Sequence, residues 1–164
     1  MYNIRAIEGI REHMITADQT LAVAESVTSG HLQAALSLAT EASRFFQGGI
    51  TAYNLGQKAR HLHVNPIHAT SCNSVSQAVA DEMAVNAGSL FSSDWSIGVT
   101  GYASPLPEMG IHQLFAFYAV CFRREIICHG EVKSTGDDPL SVQLFYTSHI
   151  LDQFLHCLSN GRKS

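Results

Sequence analysis

The segment Ala24-Glu25-Ser26-Val27-Thr28-Ser29-Gly30 places a serine where a short apolar stretch gives way to a helical one. A serine at a strand-to-helix turn can face the end of a sheet. The N–H groups of residues 28–30 would then lie at a helix N-terminus, unpaired within the helix. Such groups can bind an anion, or hold the oxyanion that develops as Ser26 attacks a carbonyl. The same residues also suit an ordinary Ser/Thr-rich helix cap.

A serine nucleophile needs a base. The chain has no G-x-S-x-G elbow and no S-x-x-K pattern. Its lysines are Lys58, Lys133 and Lys163, the last in the terminal tail. Lys58 closely follows Gly48-Gly49-Ile50-Thr51-Ala52-Tyr53-Asn54, which reads as a break, a second strand and its exit. Segments leaving adjacent parallel strands converge at one edge of a sheet, so Lys58 can approach Ser26. Partial burial would lower the amine pKa and leave a base. Lys58 can equally be a solvated helix residue, and Lys133, ending a later strand, is its rival. Tyr53 can bond a ligand or the Ser–Lys pair, or pack on a half-buried strand. Gly48-Gly49 can bend the chain or let backbone approach a ligand. Thr100-Gly101 can offer a hydroxyl and an N–H at a third strand end.

Metal chemistry has little support. His61 and His63 lack a third ligand at suitable spacing, which favours a structural or surface role. Cys72, Cys121, Cys128 and Cys157 form no C-x-x-C pair and read as buried free thiols.

Several elements must position these residues. Residues 3–17 read as a helix with Ile4, Ile7, Ile10, Met14 and Ile15 on one face. Thr20 to Ala24 reads as a buried strand, Ser29 to Ala39 as a helix, Ile50 to Tyr53 as a strand and Gln57 to Leu62 as a short helix. Residues 63–73 read as loop. Ser74 to Gln77 fits a capping box, with Ser74 as the cap, opening a helix that buries Val75, Val79, Met83, Ala87 and Leu90. Trp95, Ile97 and Val99 alternate as in a strand. Leu114 to Phe122 suggests a central strand covered on both faces. The short Arg123-Arg124 connection makes Ile126 to Lys133 its antiparallel partner, so the sheet is mixed. Asp138-Pro139 opens the last helix, whose face is Leu140, Leu144, Leu151, Leu155 and Leu158.

The 164 residues amount to one domain, 1–164, with no repeat or linker. Hydrophobic residues make up 46% and charged residues 15%, which excludes disorder. The net charge is −4 and the ten Lys and Arg form no stripe, so nucleic acid is not an expected partner. No stretch approaches a membrane span and none resembles a signal segment. A cytoplasmic protein with a weakly polar, self-associating surface is expected, as a homo-oligomer.

Taken together, these motifs resemble the C-terminal domain family of the competence/damage-inducible protein CinA. That family includes stand-alone nicotinamide-nucleotide amidohydrolases (NMN deamidases). Its pattern is A-E-S-C-T-G-G, G-G-I-x-x-Y-[ST]-N-x-x-K, G-A-V-S and T-G-I-A-G-P. This chain has Ala24 to Gly30, Gly48 to Asn54 with Lys58, Asn73-Ser74-Val75-Ser76, and Thr100-Gly101-Tyr102-Ala103-Ser104-Pro105. The resemblance implies an α/β fold, a three-layer α/β/α sandwich with a mixed, mainly parallel sheet. It implies a Ser/Lys amidohydrolase that converts nicotinamide mononucleotide to nicotinic acid mononucleotide and ammonia without cofactor or metal. Ser26 matches the nucleophile, Lys58 the general base and Tyr53 a tyrosine beside them. Glu25, Thr28, Ser29, Gly30, Gly48, Gly49, Asn54, Thr100 and Gly101 match positions around a small-molecule substrate, a pyridine nucleotide or related amide.

The chain also departs from that pattern. Val27 replaces Cys, and Ser29 replaces a Gly. Leu106 to His112 replaces a Gly-rich stretch ending in K-P-V-G, and Gly136-Asp137-Asp138 replaces G-D-R. Fewer cations and an added Asp138 should weaken a phosphate site. Two alternatives therefore stand beside the NMN reading: an amidohydrolase for a different amide, and an inactive binding or regulatory paralogue.

Overall fold

The computed structural model describes residues 1–160; Lys163 lies outside them. Helix α1, Ile4–Ala17, starts where the Asn3 side chain accepts from the Ala6 N–H at 3.2 Å. It stops where Asp18 turns left-handed and its N–H bonds back to Ile15. Strand β1, Leu21–Glu25, follows and is buried along its whole length. Helix α2 is His31–Ser37 and strand β2 is Phe46–Thr51. Helices α3, Leu55–Leu62, α4, Pro66–Ser71, and α5, Gln77–Phe91, come next. Strand β3 is Trp95–Gly101, β4 is Leu114–Phe122 and β5 is Glu125–Ser134; helix α6, Pro139–Asn160, closes the described chain.

The strands order as β2-β1-β3-β4-β5. β1 runs parallel to both β2 and β3, while β4 is antiparallel to both β3 and β5. Four strands thus share one direction and β4 opposes them, a mixed sheet. The two faces differ in kind because side chains alternate along a strand. Leu21, Val23, Trp95, Ile97 and Val99 join the core beneath α1, α2 and α6. On the other face β3 offers Ser96 and Gly98 to α5. A methyl at Gly98 would overlap Ala80 O and Ala84 N, so α5 lies with its backbone against the sheet. The result is three layers, α/β/α. Among the described residues no helix is long and apolar enough to cross a membrane.

Several expectations change. Gly48-Gly49 is no break: both glycines lie inside β2. Leu21 pairs with Phe46 but Ala22 pairs with Gly48, a bulge that Gly48 accommodates with φ 122°. A methyl on Gly49 would overlap Val23 and Gln33. Residues 63–73 contain α4, which Asn65 caps through the Ile67 and His68 N–H groups, with Pro66 at its first position. Ser76, not Ser74, caps α5, accepting from the Val79 N–H at 3.2 Å. Leu90 and Leu140 are exposed; Ala80 and Ala84 on α5 and Tyr146, Ile150 and Phe154 on α6 are buried instead. β4 is flanked by α5 and α6 but stands one place from the sheet edge. Cys128 on β5 and Cys157 on α6 are paired as a disulfide, and only Cys72 and Cys121 are free. Spacing treats each cysteine singly, whereas α6 packs over β5 and brings this pair together.

Candidate active site

The turn after β1 is held by a carboxylate. Glu25 is fully buried and accepts five hydrogen bonds: from Thr28 Oγ1 at 2.6 Å, from the N–H groups of Gly30, Leu32 and Gln33 at 3.1, 3.0 and 2.9 Å, and from Gln33 Nε2 at 3.1 Å. An acceptor-only side chain thereby takes the orphan donors at the α2 N-terminus, where the helix dipole also favours negative charge. These bonds commit the Glu25 carboxylate, the Thr28 hydroxyl and the Gly30 amide to the turn rather than to a ligand, while leaving the Thr28 amide free. The Ser29 N–H donates to Ser26 O at 3.1 Å and the Gly30 N–H is committed to Glu25. Of the turn's amides, those of Ser26, Val27 and Thr28 are left without a protein acceptor among the described residues.

Ser26, first in this turn, is 5% exposed. Lys58 is 2% exposed on α3, whose start is fixed by Asn54 accepting from the Gln57 N–H at 3.1 Å. None of the ion pairs among the described residues includes Lys58. Burial drives its ammonium from the usual 10.5 down to about 8, with nearby Cys72 pulling weakly the other way. An appreciable fraction is then the neutral amine at physiological pH.

Both residues border one cavity of about 650 Å³. Among the described residues no buried polar side-chain atom lacks a partner. Among the described residues neither Ser26 Oγ nor Lys58 Nζ has a hydrogen-bond partner, and both residues border the cavity. A substrate-free hydroxyl and base can lie apart before a bound ligand draws them together. Tyr53, 68% exposed, stands at the mouth, and Asn54 and Gly101 also line the walls. The rival base Lys133 lies on β5 and pairs with Glu131 at 3.7 Å.

Other expected ligands serve the frame. Gly48 and Gly49 lie in β2 away from the cavity lining. Thr100 Oγ1 donates to Ser74 O at 2.8 Å and does not reach the cavity. Thr70 and Gln143, outside every motif, also line it, as do Asn73, Ser74, Tyr102 and Ser104, which belong to the matched motifs but not to the expected ligands. Asn73 and Ser74 are both left-handed, with φ 51° and 60°. Such a non-glycine backbone costs on the order of 1–3 kcal/mol per residue and clusters at functional sites. Asn73-Ser74 was visible in sequence, but the helix cap was placed on the wrong serine.

A family model described as CinA C-terminal domain matches residues 5–158. A CinA-like protein from Picosynechococcus sp. is 44% identical over 90 residues, 55% of this chain and 22% of that protein. A CinA-like protein from Synechocystis sp. is 40% identical over 87 residues, 53% of this chain and 21% of that protein. The matched stretch is thus about a fifth of these relatives' length. A competence-damaged protein (CinA) superfamily structure from Klebsiella pneumoniae superposes with a TM-score of 0.89 at 25% identity, covering 96% of this chain and 98% of that one. One from Escherichia coli gives 0.85 at 26% identity, covering 93% and 89%.

Proposed function

We propose that this chain, which belongs to the CinA C-terminal domain family, is a serine–lysine amidohydrolase. It exchanges the nitrogen of a carboxamide for an oxygen from water. Ser26 Oγ attacks the carboxamide carbon while neutral Lys58 takes the hydroxyl proton. The oxyanion sits against the free amides of Val27 and Thr28. Lys58 then returns its proton to the amide nitrogen, the C–N bond breaks and ammonia leaves. Water attacks the Ser26 ester, Lys58 accepts a proton from it, and collapse releases the carboxylic acid and restores Ser26. No step requires a metal or an organic cofactor. Tyr53 at the mouth offers a ring face and a hydroxyl to the substrate.

One observation carries the reading: a buried lysine without an ion-pair partner shares a cavity with a buried serine hydroxyl. A solvated helix lysine would gain nothing from that burial, which costs it charge stabilisation. The resemblance makes nicotinamide mononucleotide the reference substrate. The test is ammonia release from nicotinamide mononucleotide and from nicotinamide riboside by the wild type, S26A and K58A. Release that both substitutions reduce by about 10³-fold or more, in folded variants, supports the mechanism. No release from either compound by concentrated wild type overturns it.

A further inference from the structure

We propose that this cavity selects carboxamides that carry no phosphate, and that Asp138 is the residue that turns phosphorylated ones away. The proposal rests on the amidohydrolase reading and names its substrate class.

The cavity's lining is the first observation. Among its described residues Lys58 is the sole cation, and it sits at the reacting end as the base. The remaining polar groups, Tyr53, Asn54, Asn73 and Gln143 among them, are all neutral. A phosphate monoester carries close to two negative charges at neutral pH and is ordinarily met by Arg or Lys. Arg60 is the nearest cation in sequence to Lys58. Two residues on, it lies about 200° around α3 and is exposed, so it does not serve the cavity.

The second observation concerns α6, whose first two turns supply Pro139 and Gln143 to the wall. The open end of a 22-residue helix could have received an anion. Asp138 already occupies it. Its Oδ1 accepts from the Ser141 N–H at 2.9 Å, and the Ser141 side chain, together with that N–H, holds the carboxyl below its ordinary range. Asp137 beside it is exposed as well. Apart from Lys58 the cavity therefore presents apolar and neutral walls, with the Asp138 carboxylate one residue from Pro139 of the wall. A phosphate would lose water there, find no cation beyond the base, and meet like charge.

The test compares two ligands that differ by one phosphate. S26A, which leaves the cavity walls intact, is titrated calorimetrically with nicotinamide riboside and with nicotinamide mononucleotide. The riboside is expected to bind about tenfold more tightly or better. D138N keeps a side chain able to cap α6 while removing the charge. In the S26A background it should narrow that ratio roughly fivefold, chiefly by improving the mononucleotide. Equal or tighter binding of the mononucleotide overturns the proposal, as does a ratio that D138N leaves unmoved. Binding of neither ligand also overturns it, because the cavity then accepts no member of this class. Turnover by the wild type is read separately, so loss of the selectivity claim and loss of the hydrolase claim give different results.

Discussion

Gln33 grips Glu25 twice: its backbone N–H and its Nε2 both donate to Glu25 Oε1, at 2.9 and 3.1 Å. The turn that carries Ser26 is thus fastened to the first turn of the following helix by a side chain outside the cavity lining. Replacing Glu25 by Gln swaps one acceptor oxygen for an NH2 group facing N–H donors. Glu25→Gln should lose about 2–3 kcal/mol of stability. The denaturation midpoint in urea reads this directly. An unchanged midpoint with weakened substrate binding would return Glu25 to the ligand.

Lys58 sets a pH prediction with two arms. Its folded pKa of about 8 lies below the usual 10.5, so the unfolded chain binds more protons between those values. Stability from this group therefore rises with pH from about 8 to 10.5, and below 8 the full cost is present. The fall from 10.5 to about 8 corresponds to about 3 kcal/mol. Lys58→Met should raise the melting temperature at pH 7 and lose that advantage towards pH 10.5, while abolishing turnover. Wild-type kcat/KM should climb with pH and level off above about 8.

The two serines before α5 should separate cleanly. Ser76→Ala removes the cap on Val79 and is expected to cost about 1 kcal/mol. Ser74→Ala removes no cap, so its stability effect should be smaller and its effect on KM larger. Parallel thermal melts and steady-state assays would show which serine does which.

Gly98 is the point where α5 rests on the sheet. Gly98→Ala would force the helix outward against Ala80 and Ala84 and should cost about 3 kcal/mol. A Tm within a degree or two of wild type would contradict that packing.

The sequence made the α/β layering legible because periodicity follows burial: Ile7, Ile10 and Met14 on α1, and Trp95, Ile97 and Val99 on β3, all reached the core. That Ser26 and Lys58 border one cavity was legible too, since Ser26 directly follows β1 and Lys58 lies in the first turn of the helix after the neighbouring parallel strand. The ligand walls were not. Glu25 and Thr100 look like site residues, but their hydrogen bonds go to the frame, and no residue pattern says which way a buried carboxylate will turn. Gln143 looks like a surface helix residue and borders the cavity through tertiary packing alone. Cys128 and Cys157, 29 residues apart, meet only because a helix crosses a strand.

The cavity is assembled from five separate stretches of chain, and they divide unevenly. The proposed nucleophile and base, Ser26 and Lys58, both come from the parallel half of the sheet. Much of the far wall, at 101–106 and 139–143, hangs from the antiparallel half. Reactivity and selectivity are thereby carried by different halves of one molecule. Exchanging the later loops between relatives should transfer substrate preference while the hydrolytic step stays with the first sixty residues, and a lineage could retune what it accepts without rebuilding what it does.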